Sequence, residues 1–253
     1  MPSPAEVQAL VELSRELGRP ELDYVILGEG NTSAACADGT FWVKASGSKL
    51  ATASPESFVR VERAKVLAML ESTALSDEIV HERLLACRVG SFGTTKPSVE
   101  TLLHAVCLAL PGVHFVGHTH PVAVNQLLCS RAFPEVFAGR IFPDEIVVCG
   151  PAPVLVPYVD PGIPLARAVH EKIAHFVAEH GRTPRVVLMQ NHGLVVLGTT
   201  AAQVRDATAM MVKTARILAG ACAAGGPSFL TKEAVARIDT RPDELYRKHK
   251  LGG

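Results

Sequence analysis

Any fold for this chain must bring three separated segments to one point. They are Lys96-Pro97-Ser98-Val99-Glu100, His118-Thr119-His120 and Asn191-His192-Gly193. Between them they supply a carboxylate and three imidazoles. Residues i and i+2 of a strand project from the same face, so a strand leading into His118 and His120 lets both rings converge on one ion. Three histidines with a displaceable fourth ligand describe a catalytic divalent-metal site, whereas a structural site is closed by protein at every position. A His-x-His pair alone fits ordinary core or surface histidines. Glu100 and His192 move the reading toward a metal.

At 253 residues the chain is long enough for a sizeable core and is expected to form one domain over 1–253. The core is expected over about 5–224, and the polar tail 227–253 is expected to be mobile or to reach a neighbouring subunit. Lys plus Arg and Asp plus Glu are both 25, which leaves no global bias toward nucleic acid or an anionic membrane. A small molecule is the expected partner. The six cysteines show no Cys-x-x-Cys spacing, and some, such as Cys107 in Ala105-Val106-Cys107-Leu108, lie in apolar runs where a reduced thiol acts as a small hydrophobe. No secretory signal pattern opens the sequence, and no apolar run reaches the roughly 18 residues of a membrane span. A cytoplasmic protein is expected.

Ser3-Pro4-Ala5-Glu6 reads as a capping box ahead of Val7, Leu10, Val11, Leu13 and Leu17 at helical spacing, with Gly18 as the stop. Strands are expected over 24–27, 41–44 and 58–61, the first two flanking a Gly-rich turn, and a helix over 64–70. A helix beginning at Pro97-Ser98, capped by Ser98 and stopped by Pro111-Gly112, places Glu100 in its first turn. A strand over 113–118, a helix over 122–130, an irregular Pro-rich stretch to Pro164 and an amphipathic helix over about 165–179 follow. Residues 185–189 and 194–197 read as a hairpin with His192 at its turn, and an Ala-rich helix is expected over 200–224.

Five ordered motifs carry a family resemblance: Gly28-Glu29-Gly30-Asn31-Thr32-Ser33, Lys44-Ala45-Ser46-Gly47, Lys96-Pro97-Ser98-Val99-Glu100, His118-Thr119-His120-Pro121 and Asn191-His192-Gly193-Leu194. In order and approximate spacing they resemble the class II aldolase/adducin-like family, which includes fuculose-, rhamnulose- and ribulose-phosphate aldolases and epimerases. The resemblance runs from Ala5 to Ala224. It implies an α/β protein, a three-layer α/β/α sandwich with a mixed, mostly antiparallel central sheet, commonly assembled as a homotetramer with active sites between subunits. It also implies Zn2+ held by His118, His120 and His192, with Glu100 closing the resting metal shell and then working as acid/base. Gly30, Asn31, Ser46, Gly47 and Ser98 fall where the family holds the substrate phosphate. Imidazole and carboxylate donors suit Mn2+, Fe2+ or Co2+ as well.

The sequence departs from the fuculose-phosphate type at Val99, where those aldolases carry a serine in Pro-Ser-Ser-Glu. Lys96 is placed to compensate for the missing hydroxyl. This form of the motif is more similar to the aldolase portion of rhamnulose-phosphate aldolases fused to a dehydrogenase.

The residue chemistry agrees. A bound zinc ion polarises the carbonyl and hydroxyl oxygens of a ketose, a carboxylate that can leave the metal can move a proton, and Gly-rich turns offer N–H groups to an anion. Gly28, Gly30 and Gly47 also fit plain turn glycines, and Glu100 fits a helix-dipole carboxylate. His104 and His114 are expected behind the site or in packing, and His81, His170, His175 and His180 on helix surfaces. The expected activity is a zinc-dependent lyase that cleaves a ketose 1-phosphate to dihydroxyacetone phosphate and an aldehyde. The rivals are a metal-dependent decarboxylase, with Lys44 or Lys96 holding a carboxylate, a sugar-phosphate epimerase, and a non-catalytic adducin-like interaction module.

Overall fold

Apolar side chains that alternate between two faces of one sheet set the architecture of the computed structural model, which describes residues 5–72, 76–90, 93, 95–243 and 246. In chain order the described residues form α1 (Ala5–Leu17), β1 (Asn31–Ala35), β2 (Thr40–Lys44), β3 (Phe58–Glu62), α2 (Arg63–Ala68), α3 (Asp77–Ala86), α4 (Thr101–Leu108) and β4 (Phe115–Thr119). They continue with α5 (Val122–Leu128), α6 (Pro143–Cys149), β5 (Val154–Val156), α7 (Ile163–His180), β6 (Val186–Met189), β7 (Gly193–Gly198), α8 (Ala201–Ala223) and α9 (Lys232–Thr240). The strands make one mixed sheet in the order β3-β2-β1-β4-β7-β6-β5. Only the β5–β6 pair is parallel among the described strands.

Val187, Met189, Val195 and Leu197 share one apolar cluster with residues of α2, α3, α4 and α7. Val186, Leu188, Leu194 and Val196 point the other way, into a cluster with α1, α5 and α8. The expected three-layer α/β/α sandwich is therefore present. Each fully buried aliphatic side chain contributes about 1.5–3 kcal/mol relative to exposure, so the sheet owes its stability to packing on both faces. All eight residues of α4 are buried, which makes it a central helix rather than an amphipathic surface one.

The structure differs from the sequence reading at several points. Residues 24–27 form no strand but run irregularly into a turn at Leu27-Gly28, with Leu27 at a left-handed φ of 51°, and the strand lies instead at β1, inside the stretch read as a Gly-rich turn. β1 lacks an apolar stripe because its small polar residues find partners on both faces: Ser14 Oγ lies 2.6 Å from Thr32 Oγ1, and Ser33 Oγ 2.6 Å from His104 Nδ1. The helix expected at Pro97-Ser98 begins at Thr101, because Pro97 is held in a bridge to Ala45; its N-cap is Glu100, not Ser98. The Pro-rich stretch contains α6, with Pro143 in its first turn, and the edge strand β5. The tail is structured through α9, whose Ile238 packs with Ile146 and Val147 of α6. Ser3 and Pro4 of the expected capping box lie outside the described residues.

Candidate metal centre and active site

Strand register assembles the centre. His118 on β4 is paired with Asn31 of β1 on one side and Val195 of β7 on the other. Directly opposed residues share a face, so His118, Asn31 and, two residues on, Ser33 all look toward α4. From that helix Glu100 and His104, four residues apart, come down onto the same face. His120 stands one residue beyond the end of β4, and His192 sits in the β6–β7 turn after Asn191, which adopts a left-handed φ of 53°. Asn125 Nδ2 of α5 donates to the His192 carbonyl at 3.0 Å and holds that turn in place.

The ligand atoms converge as expected. One atom each from Glu100, His118, His120 and His192 all lie within 4.8 Å of one another. His118 Nε2 is 3.0 Å from His120 Nε2 and 3.3 Å from Glu100 Oε1, and His192 Nε2 is also 3.3 Å from Glu100 Oε1. His118 Nδ1 donates to the Leu194 carbonyl at 3.0 Å, which commits that nitrogen and turns Nε2 toward the cluster. The donor set, three imidazole nitrogens with a carboxylate oxygen, fits a divalent transition metal or zinc.

Electrostatics favour the same occupant. Burial works to raise the Glu100 carboxyl, but the charge and hydrogen bonds of His118 and His192 outweigh it and hold Glu100 well below the usual carboxylate range. For His118 burial works downward, and Glu100 more than reverses it, so that imidazole is raised. His120 is pushed down to about 3, first by burial and then by His118 and His192, so it is neutral with a lone pair to offer. A divalent ion held by this set would displace the proton that the Glu100–His118 pair favours on the imidazole.

Two close approaches at this centre require glycine. A Cβ on Gly193 would lie 2.6 Å from His120 Cδ2 and 2.7 Å from the Thr119 carbonyl oxygen, so only glycine lets β7 pass beside the histidine pair. A Cβ on Gly30 would lie 2.8 Å from the His118 carbonyl oxygen, and its φ is +72°. Gly30 thus has a packing role beside the substrate role the resemblance implied.

Of the residues expected to hold an anion, Ser46, Gly47, Lys96 and Ser98 fall in two adjoining loops, while Gly30 and Asn31 lie at the start of β1. Ser46 N–H donates to the Lys96 carbonyl at 2.9 Å, which joins the turn containing Ser46 and Gly47 to the segment Lys96-Pro97-Ser98. Ser98 Oγ is buried without a hydrogen-bond partner among the described residues. Asn31 is directed elsewhere: its side-chain amide donates to Glu100 Oε2. Lys44 is buried, and its ammonium donates to the carbonyls of Gly28, at 3.2 Å, and Ser48, so it clamps the two Gly-containing turns together. Burial lowers its pKa.

His104 is fully buried behind Glu100 and bonded to Ser33, as a residue behind the site should be. His114 is exposed just outside β4 and has no part in the centre. Glu29 was not singled out from the sequence, yet its Oε1 lies 3.8 Å from His120 Nδ1. Its place inside the Gly-Glu-Gly-Asn motif was the available signal.

The fold and centre together define a class II aldolase-like protein. The chain matches the family described as Class II Aldolase and Adducin N-terminal domain over residues 8–219, and it belongs to that family. It is 31% identical over 220 residues to the "Uncharacterized oxidoreductase YuxG" of Bacillus subtilis (strain 168), a match covering 84% of this chain and 29% of that protein's length. It is 29% identical over 209 residues to the 3-oxo-tetronate 4-phosphate decarboxylase of Haemophilus influenzae (strain ATCC 51907 / DSM 11121 / KW20 / Rd), covering 81% of this chain and 85% of the relative. Among solved structures, the N-terminal class II aldolase domain of a conserved protein from Thermoplasma acidophilum is similar at a TM-score of 0.66 and 26% identity, covering 86% of this chain and 95% of that one.

Proposed function

We propose that the chain is a metal-dependent lyase, with zinc the expected ion, that cleaves a ketose 1-phosphate by retro-aldol chemistry to dihydroxyacetone phosphate and an aldehyde. The convergence of Glu100 Oε1 on the Nε2 atoms of His118 and His192, with His120 beside them, carries the proposal. Bound there, a divalent ion would supply Lewis-acid polarisation of the substrate's carbonyl and hydroxyl oxygens. The chain's own residues do the rest. Glu100, ionised and oriented by Asn31, takes the hydroxyl proton as the carbon–carbon bond breaks and returns a proton to the carbon that carried the charge. Ser98 Oγ, the Ser46-Gly47 turn and Lys96 receive the phosphate, Asn31 being engaged with Glu100, and the Lys44 ammonium holds the adjoining turns and adds positive charge behind them.

The 29% identity to a decarboxylase over most of both chains favours a second reading, in which the bond broken is that to a carboxylate. The early chemistry is shared, because each reaction leaves negative charge next to a carbonyl. Product analysis on phosphorylated ketoses and on phosphorylated β-keto acids separates them. Release of an aldehyde from the ketose supports the aldolase. Release of carbon dioxide from the acid, with no aldehyde from any ketose, overturns it in favour of the decarboxylase.

A further inference from the structure

The turn 26–29 holds a carboxylate that the proposed chemistry does not use. Glu29 Oε1 lies 3.8 Å from His120 Nδ1, the ring nitrogen opposite the one that joins the histidine cluster. Glu29 Oε2 accepts the Ile26 N–H at 3.0 Å, and the Glu29 N–H donates back to the Ile26 carbonyl at 3.0 Å. The side chain is therefore fastened to its own turn rather than swinging in solvent. The turn is fastened in its own right: Leu27 adopts a left-handed conformation, and the Gly28 carbonyl accepts from the buried Lys44 ammonium.

His118 and His120 differ in what faces the second ring nitrogen. His118 gives its Nδ1–H to a neutral backbone carbonyl, that of Leu194, whereas a carboxylate oxygen of Glu29 stands 3.8 Å from His120 Nδ1, one short shift of the side chain from hydrogen-bond reach. A ligating histidine whose second nitrogen donates to a carboxylate is held in one tautomer, aimed at the ion, and made a stronger donor. Because Glu29 lies at the far ring nitrogen, it does not face the space between the Nε2 atoms where substrate and ion meet. It acts through His120.

We propose that Glu29 is a positioning residue of the metal centre, the outer carboxylate that fixes His120 with Nδ1 protonated and Nε2 turned to the ion. This rests on the metal-centre reading of His118, His120, His192 and Glu100. It makes the 26–29 turn, and the Lys44 clamp behind it, part of the apparatus that retains the ion.

The test is a Zn2+ titration against a competing chelator with the wild-type chain and with Glu29→Gln, Glu29→Ala and Glu29→Asp, alongside thermal unfolding of each metal-free form. The expected result is a dissociation constant raised about 10–100-fold in Glu29→Ala and Glu29→Gln, part of it recovered in Glu29→Asp, with metal-free unfolding unchanged. Wild-type affinity in both the Ala and Gln variants overturns the proposal while leaving the metal centre intact. Earlier unfolding of the metal-free variants, with no recovery in Glu29→Asp, assigns Glu29 a merely structural role and also overturns it. A wild-type chain that takes up no Zn2+ overturns the metal-centre reading itself.

Discussion

Glu100 has to satisfy two requirements at once, staying ionised inside a largely buried site and remaining able to accept a proton. The imidazoles of His118 and His192 meet the first by outweighing burial and holding its carboxyl well below the usual range, and Asn31 orients the group through a hydrogen bond to Oε2. Glu100→Gln keeps the shape and the hydrogen bonds but removes the proton acceptor. Turnover in the variant is expected to fall about 10²–10⁴-fold while three histidines still retain the ion, read from steady-state kinetics and metal content on the same sample. Loss of the ion with normal turnover after reconstitution would make Glu100 only a ligand. The convergence of Glu100, His118, His120 and His192 was legible in the sequence because few residue types ligate such ions and their spacing is distinctive. Asn31's hold on Glu100 was not, since it depends on the register that sets Asn31 opposite His118, across 87 residues of chain.

At the level of elements, the sequence reading succeeded where apolar periodicity was strong and failed where polar or proline residues were satisfied by tertiary contacts. The β6–β7 hairpin, α7 and α8 were legible from their apolar pattern. β1 was not, because Thr32 and Ser33 rely on Ser14 and His104 rather than on an apolar stripe. α6 was also missed, and its stability has a specific source. Arg140, 1% exposed, donates to Glu145 Oε1 at 2.7 Å and to the Gly150 carbonyl at 2.9 Å, while Glu145 Oε2 accepts the Ile141 N–H at 3.0 Å. This network ties both ends of α6 together through two side chains that hydropathy alone would place on the surface. Glu145→Ala leaves a buried guanidinium without its counter-charge and is expected to cost about 3–5 kcal/mol in denaturant unfolding. A loss under 1 kcal/mol would show that the pair is dispensable to the fold.

For the whole molecule, the sandwich presents its working surface where the β1, β4 and β7 ends meet the α4 N-terminus. Ile26, Leu27, Val99 and Val122 are exposed and lie within a few residues along the chain of a proposed site residue, and the exposed Tyr158 donates its N–H to Gln190, two residues before His192. The centre is the claim on which the rest depends, and metal content tests it most directly. Elemental mass spectrometry of the purified wild-type chain beside His118→Ala, His120→Ala and His192→Ala is predicted to find about one divalent ion per wild-type chain. Each variant should hold markedly less while remaining folded by circular dichroism, since packing rather than the ion sustains the sheet. A wild-type chain without metal, or a histidine variant with undiminished content, would contradict the assignment.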